Sequence, residues 1–233
     1  YKEDISYIGS MKEFRRSIPW MADDASGFCD SYSNYETMVI AGNTFEYPAL
    51  HCSCNMKADY SFVSCSNDAV EKKTVNLNEY KLVDLILGKQ RQTKMGRGGV
   101  KPLEFKTFTK GMQEAITTYC QSGGNIFVSG AFVGSDLWDN AEANQEDKDF
   151  ATNILKYKWR VNQAATTGKV KSVASPYQEF AGNYSYYNEL NPDCYIVEAP
   201  DGIAPAGENA FTIFRYSENN ISAGVASKGA YKT

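Results

Sequence analysis

Histidine is nearly absent from this sequence, and a basic charge excess is missing. The chain contains one histidine, His51, so a serine or cysteine nucleophile with a histidine base would have to use that residue. The net charge is -4, whereas proteins that bind nucleic acids usually carry a basic excess. We therefore expect no nucleic acid among the partners of this protein.

Long apolar runs are also missing. No stretch reaches the roughly 18 apolar residues that a membrane span requires, and no charged and then apolar signal peptide opens the sequence. We expect no transmembrane segment. We interpret the 233 residues as a single α/β domain, either a mature form or a domain excised from a larger exported protein.

The six cysteines are too few and too irregularly spaced to form a disulfide scaffold. His51, Cys52, Cys54 and Cys65 supply four residues of the type that binds zinc, but zinc sites usually pair their cysteines as C-x2-C. We therefore predict free thiols, no metal and no cofactor.

The first two thirds of the sequence alternate between strand and helix patterns. This order predicts a mainly parallel sheet with helices on both faces. Helix signals consist of capping residues followed by apolar positions at helical spacing, and strand signals are short apolar runs. The predicted helices cover 33–42, a segment from Pro48, a segment after the cap Ser66 and about 103–121, and the predicted strands cover 60–64, 82–88 and 125–130.

The pattern changes towards the C-terminus. The acidic segment after Asp136 merges into "KDFATNILKYKWR" (148–160), which we read as a helix. After Gly168, short alternating segments follow, and "AFTIFRYS", "ENN" and "ISAGVAS" indicate a hairpin with an asparagine-containing turn. We expect residues 170–233 to complete the parallel core with antiparallel strands.

The stretch "GGNIFVSGAFVGSDLW" (123–138) has the outline of a nucleophile elbow, in which a strand leads through a glycine turn into a helix. Gly130 and Gly134 flank the reactive position, but a phenylalanine, Phe132, occupies it. We predict that this turn is structural, that Phe132 packs or lines a groove, and that the glycines serve the sharp turn.

Ligands of open α/β sheets bind beyond the carboxyl ends of the strands. Ser135 and Asp136 begin a helix there, and we expect its free backbone N–H groups to hold an anion. The loop after Gly88, "KQRQTKMGRGGVK" (89–101), has five positive charges. This excess indicates either a flexible clamp for an anionic polysaccharide or a mobile solvated loop. The predicted ligand-binding residues are Asn43, Ser66, Lys89, Gln90, Ser129, Phe132, Ser135 and Asp136.

Candidate catalytic groups are few. His51 and Glu46 are the candidates for an acid or base. Further carboxylates are Asp136, after the elbow, and Glu179 and Asp201, in later loops. Spacing in the sequence does not place any two of them at the separation that glycoside hydrolysis requires.

Five segments together resemble a family of secreted Bacteroidetes proteins named as xanthan lyases, which often carry a golvesin-like carbohydrate-associated domain. The segments are "AGNTFEYPALH", "YSFVSCSNDAV", "VDLILGKQ", "GGNIFVSGAFVGSDL" and "YIVEAPDGIAPAG". The resemblance implies a periplasmic, cell-surface or secreted location and a flavodoxin-like three-layer core related to class I glutamine amidotransferases. Those amidotransferases have a cysteine at the elbow where this chain has Phe132, so their chemistry does not carry over.

Two functional hypotheses follow. The first is a noncatalytic or degenerate amidotransferase-like module of an exported polysaccharide-processing protein, which binds glycan or docks neighbouring domains. The second is a polysaccharide lyase or glycoside hydrolase that acts on an acidic polysaccharide. A peptidase or esterase is a weaker third, because the nucleophile is missing.

Overall fold

The computed structural model describes most of the chain from residue 64 onward. The described residues are 8–9, 64–65, 67–88, 90–95, 101–104, 106–177, 180–189 and 197–233. The helices predicted over 33–42 and from Pro48 lie outside these ranges, and of the strand predicted over 60–64 only Ser64 is described, in a strand with Cys65.

The strands are β1 (Ile8–Gly9), β2 (Ser64–Cys65), β3 (Leu82–Gly88), β4 (Thr93–Met95), β5 (Lys101–Glu104), β6 (Asn125–Gly130), β7 (Tyr157–Val161), β8 (Lys169–Ser172), β9 (Asn183–Ser185), β10 (Gly202–Pro205), β11 (Ala210–Tyr216) and β12 (Ser222–Ser227). The helices are α1 (Asn67–Glu71), α2 (Lys110–Gln121), α3 (Ser135–Trp138) and α4 (Gln145–Asp149), with a 3₁₀ turn at Leu77–Glu79 and a π-helical turn at Phe150–Ile154.

A parallel β-α-β unit forms the centre of the described structure, so the protein is of mixed α/β class. Strands β3 and β6 pair in parallel, from Leu82 opposite Asn125 to Gly88 opposite Gly130. Helix α2 connects them. Both strands were predicted from their apolar runs, and these predictions are confirmed.

The buried face of α2 supplies much of the core. Met112, Ile116 and Cys120 are buried among residues of β3 and β6. The ring of Tyr119 lies directly on Gly124, where an added Cβ would come within 2.3 Å of the ring atoms. Its hydroxyl donates towards the main-chain oxygen of Asn125 at 3.0 Å, which satisfies a polar group at the start of β6.

Helix α2 begins later than predicted. The sequence pattern suggested about residue 103, but residues 101–104 form β5, which pairs with β4 as an antiparallel hairpin. The helix starts at Lys110 after the cap Thr109, whose hydroxyl accepts from Met112 N at 3.3 Å. Part of the basic segment 89–101 is therefore strand, and its interpretation as a flexible loop was wrong for β4 and the start of β5.

The helix predicted through residues 148–160 was also wrong in its second half. Helical structure ends at Ile154, and Lys156 has a positive φ of 64°. The chain then forms β7, which pairs antiparallel with β10. The aromatic residues of β7 suit a strand, and the pairing partner lies more than forty residues further along the sequence.

The C-terminal part forms an antiparallel sheet with the strand order β12-β11-β8-β9. The predicted hairpin is confirmed: β11 pairs with β12, and Asn220 in its turn has a positive φ of 64°. Ile203 of β10 is buried in the same core as α2, with Val225 of β12 packed against it. The antiparallel strands thus share a core with the parallel unit.

In the ranges that the structure describes, no helix is both long enough and apolar enough to cross a membrane.

The packing of α2 generates the first testable prediction. Ile116→Ala removes a fully buried side chain and should lower the free energy of unfolding by about 2–5 kcal/mol. Glu114→Ala, at an exposed position of the same helix, is the control and should change it by less than about 0.5 kcal/mol. Urea unfolding measures both. Equal effects of the two substitutions would contradict this assignment of the buried face.

Candidate functional site

The candidate site is the turn that follows β6, together with the segments that surround it. Gln90 follows β3, Ser129 is near the end of β6, Phe132 lies in the turn, and Ser135 and Asp136 begin α3. These five predicted residues lie on segments at the carboxyl end of the parallel pair. The other predicted ligand-binding residues Asn43, Ser66 and Lys89 lie outside the described ranges, as do the catalytic candidates Glu46 and His51 and the carboxylate Glu179.

The turn differs in its backbone from a nucleophile elbow. In that motif the central residue sits on a sharp, strained turn. Here no residue from 129 to 136, including Phe132, has a positive φ. Asp136 N donates to Phe132 O at 3.3 Å and Leu137 N donates to Gly134 O at 3.0 Å, so the chain enters α3 through ordinary helical turns.

Close packing requires the glycines of the turn. The prediction that they serve the conformation of a sharp turn was therefore wrong. A Cβ on Gly130 would lie 2.9 Å from Leu87 Cβ. A Cβ on Gly134 would lie 2.8 Å from Cδ1 of Trp159 and 3.3 Å from Oδ2 of Asp201. Separations below 3 Å are inside van der Waals contact, so each position excludes a side chain unless its neighbours move.

Arg91 covers Phe132. The guanidinium carbon lies 4.8 Å from the ring centroid, a distance at which the ring quadrupole attracts the cation. The phenylalanine at the reactive position is half-buried, and it is engaged by a side chain from the segment after β3.

Asp136 is bonded within the protein. The residue is 4% exposed, and its carboxylate accepts hydrogen bonds from Gln92 N at 2.8 Å and from Thr107 N and Oγ1 at 2.7 and 3.0 Å. Burial raises the pKa of Asp136, and these hydrogen bonds offset part of the effect. The carboxylate thus ties the start of α3 to the segments on either side of the β4–β5 hairpin.

Asp201 occupies the position at which an external anion was expected. Its Oδ2 accepts from Gly134 N at 2.9 Å and from Ser135 N at 2.6 Å. The backbone N–H groups at the start of α3 are therefore already bonded to a carboxylate of the protein, and the prediction that they are free is wrong.

The main chain of Asp201 is also held on both sides. Its N donates to Ala131 O at 2.8 Å, and its O accepts from the hydroxyl of Tyr216 at 2.6 Å. Burial raises the pKa of the Asp201 carboxyl to about 6, the hydrogen bonds from Ser135 and Gly134 lower it, and the nearby Asp136 charge raises it.

Strand β7 contributes two residues that the sequence did not indicate as part of this site. The hydroxyl of the buried Tyr157 donates to Val133 O at 2.7 Å, and burial raises its pKa well above the ordinary value. The indole of Trp159 packs on Gly134. Neither contact was expected, because this segment was predicted as a helix. The alternating aromatic residues of "YKW" indicate a strand.

Many polar groups of the described part of the site are bonded within the protein, whereas Nε1 of Trp159 and Oε1 of Gln92 are buried without a hydrogen-bond partner among the described residues. Both carboxylates that border the turn are bonded to backbone N–H groups. The described residues contain no cluster of histidine, cysteine, aspartate or glutamate that could hold a metal ion. Cys65 and Cys120 are free thiols, and burial raises the pKa of both.

Comparison with known proteins gives no match: no family model, no curated protein and no solved structure resembles the chain significantly.

The contact between Gly134 and Trp159 generates the second prediction. Gly134→Ala should lower the free energy of unfolding by about 1–3 kcal/mol, because the new methyl group overlaps the indole. Gly229→Ala is the matched control, since an added Cβ there meets no atom within 4 Å. Thermal unfolding of the two variants tests this, and a Gly134→Ala variant as stable as the control would show that the packing is not tight.

Proposed function

We propose that the chain is a noncatalytic, degenerate amidotransferase-like module of an exported polysaccharide-processing protein, and that it binds glycan. The proposal includes a flavodoxin-like three-layer arrangement of the whole domain, with helices on the second face of the parallel pair. Docking of neighbouring domains is the related role that the same module could have.

The main support for the proposal is the side chain at position 132 and its contacts. A phenylalanine stands where an elbow enzyme has its nucleophile, and Arg91 lies over its ring at 4.8 Å. The adjacent Asp136 and Asp201 carboxylates accept hydrogen bonds from the backbone, so they hold the turn in place. These contacts support a structural rather than a chemical role for the turn.

An aromatic surface on the C-terminal sheet supports glycan as the ligand class. The ring of Tyr184 on β9 meets that of Phe214 on β11 at a centroid distance of 5.1 Å, and Phe180 meets Phe214 at 5.9 Å. Tyr184 remains 45% exposed, and Phe211, further along β11 with its ring 6.1 Å from that of Tyr177, is 37% exposed. Exposed aromatic rings offer apolar faces on which the C–H groups of sugar rings can stack, and clustered exposed rings commonly mark interaction sites.

The third prediction concerns Phe132. Phe132→Ala should lower the free energy of unfolding by about 1–3 kcal/mol through lost packing and loss of the contact with Arg91. We expect neither the wild-type protein nor the variant to release fragments from acidic or neutral polysaccharides, including xanthan. Mass spectrometry of the soluble products is the measurement.

The products would distinguish the alternatives. Unsaturated fragments would identify a lyase and fragments with an added water a hydrolase, and either result would contradict a noncatalytic role. His51→Ala and Glu46→Gln would then test whether those residues act as acid or base.

The fourth prediction concerns the aromatic surface. Tyr184→Ala should weaken polysaccharide binding at least about fivefold if one stacking contact is lost. Tyr187→Ala removes an even more exposed tyrosine and is the matched control. Affinity electrophoresis in gels that contain each polysaccharide measures the retardation. Binding that is equally strong in both variants would place the glycan elsewhere, and no retardation of the wild type by any polysaccharide would favour the docking role.

A further inference from the structure

We propose that the C-terminal sheet binds a uronate-bearing, acidic polysaccharide, and that the carboxylates of this ligand lie on a basic face formed by Lys169, Lys171 and Arg215. The inference rests on the proposed glycan-binding function and names the class of glycan. It adds a second contact surface to the aromatic one around Tyr184.

The strand register brings the three cations of the basic face together. Lys169 and Lys171 are two residues apart on β8, so their side chains lie on the same face of the sheet, about 7 Å apart along the strand. Arg215 on β11 pairs directly with Lys171. Side chains of directly opposite residues share a face, with their Cβ atoms about 5 Å apart. The basic face therefore carries three positive charges on two adjacent strands.

Uncharged polar side chains border these cations on β9. Asn183 pairs with Lys171. Ser185 pairs with Lys169, and both β9 residues are exposed. An amide and a hydroxyl donate to and accept from sugar hydroxyls, whereas lysine and arginine form charge-assisted hydrogen bonds with carboxylates. The face thus offers the two kinds of group that a polymer with hydroxyls and carboxylates requires.

The three cations have no carboxylate partner among the described residues. The ion pair that those ranges contain joins Lys106 to Asp147. Glu218, in the turn after β11, accepts hydrogen bonds from Thr166 N at 2.9 Å and from Thr167 N at 3.1 Å. Its carboxylate is therefore bonded to the backbone, and it leaves the charge of the basic face uncompensated.

The pairing of Lys171 with Arg215 disfavours the free protein. Like charges directly opposite each other on neighbouring strands are destabilising. The guanidinium of Arg215 donates to the main-chain oxygen of Asn220 at 2.6 Å, which orients the group without neutralising its charge. Carboxylates bound between the two side chains would remove the repulsion, so an anionic ligand gains affinity that a neutral one does not.

The basic face and the aromatic surface adjoin at one edge of the sheet. Tyr184 pairs with Val170, so its ring lies on the opposite face from Lys169 and Lys171. Strand β9 is the last strand in the order of this sheet, and its three residues are exposed. A polysaccharide that stacks on Tyr184 and passes over β9 therefore reaches the two lysines.

The fifth prediction tests the lysines with polygalacturonate and its methyl ester, which has the same sugars without the charge. In Lys169→Gln/Lys171→Gln, binding of polygalacturonate should weaken about tenfold, as expected for the loss of two exposed ion pairs, and binding of the methyl ester should not change. Lys228→Gln/Lys232→Gln removes the same charge from two exposed lysines after β12 and should behave as the wild type. Isothermal titration calorimetry is the measurement.

Amide chemical shifts of the wild type provide a second measurement that needs no variant. Polygalacturonate should shift the amide signals of Lys169, Lys171 and Asn183. Raising the NaCl concentration from about 0.1 to about 1 M should reverse these shifts, because the screening length falls from about 10 to about 3 Å.

Equal affinity of the wild type for the two polymers, or equal affinity of the two double variants for polygalacturonate, would overturn the basic face and leave a glycan-binding function in place. A wild type that binds neither polymer and no other polysaccharide would contradict both proposals. Binding of polyglutamate through the same lysines, without binding of polygalacturonate, would assign the face to an acidic protein segment and overturn its assignment to glycan.

Discussion

The structure around the candidate site depends on one buried interaction, the acceptance of two backbone N–H groups by the carboxylate of Asp201. Gly134 N and Ser135 N lie where the chain turns from β6 into α3. Buried N–H groups without a partner are costly, and α3 is only four residues long, so it gains little stability from its own hydrogen bonds. The carboxylate supplies the missing acceptor, and its main chain carries the connection on to Tyr216.

Asp136 anchors the same turn to a different part of the chain. Its carboxylate accepts from Gln92 N and Thr107 N, whereas Asp201 lies directly before β10. Two acids therefore fix one short helix to two otherwise separate segments. The arrangement has a cost, because burial disfavours the charged form of the Asp201 carboxyl and raises its pKa, and the nearby Asp136 charge adds to this effect. Removing either acid would leave N–H donors without an acceptor. Hydrogen bonding therefore favours the two carboxylates at this point, whereas the repulsion between their charges disfavours them.

The elements predicted correctly are those that the local sequence pattern determines. The continuous apolar run of β3 and the segment "NIFVSG" of β6 are strands because buried parallel strands are apolar throughout. The hairpin of β11 and β12 follows from two alternating segments and a short turn. Strand β7 was missed because its partner β10 lies more than forty residues further along the sequence. Strand β5 pairs with the nearby β4, in a stretch that was predicted as a loop and the start of a helix. The contact of Asp201 with Ser135 spans 66 residues, and no local signal reports such a pairing.

The turn at Phe132 differs from a catalytic elbow in its backbone and in its hydrogen bonds, as well as in the side chain at position 132. A nucleophile elbow presents its residue through a strained backbone that the surrounding structure must hold, and residues 129–136 show no positive φ. The N–H groups of Gly134 and Ser135, which follow position 132, are bonded to Asp201. A reactive group at 132 would therefore meet a relaxed backbone and donors that are already occupied. The contacts that hold position 132 and the start of α3 come from the turn itself, from β7 and from Asp201.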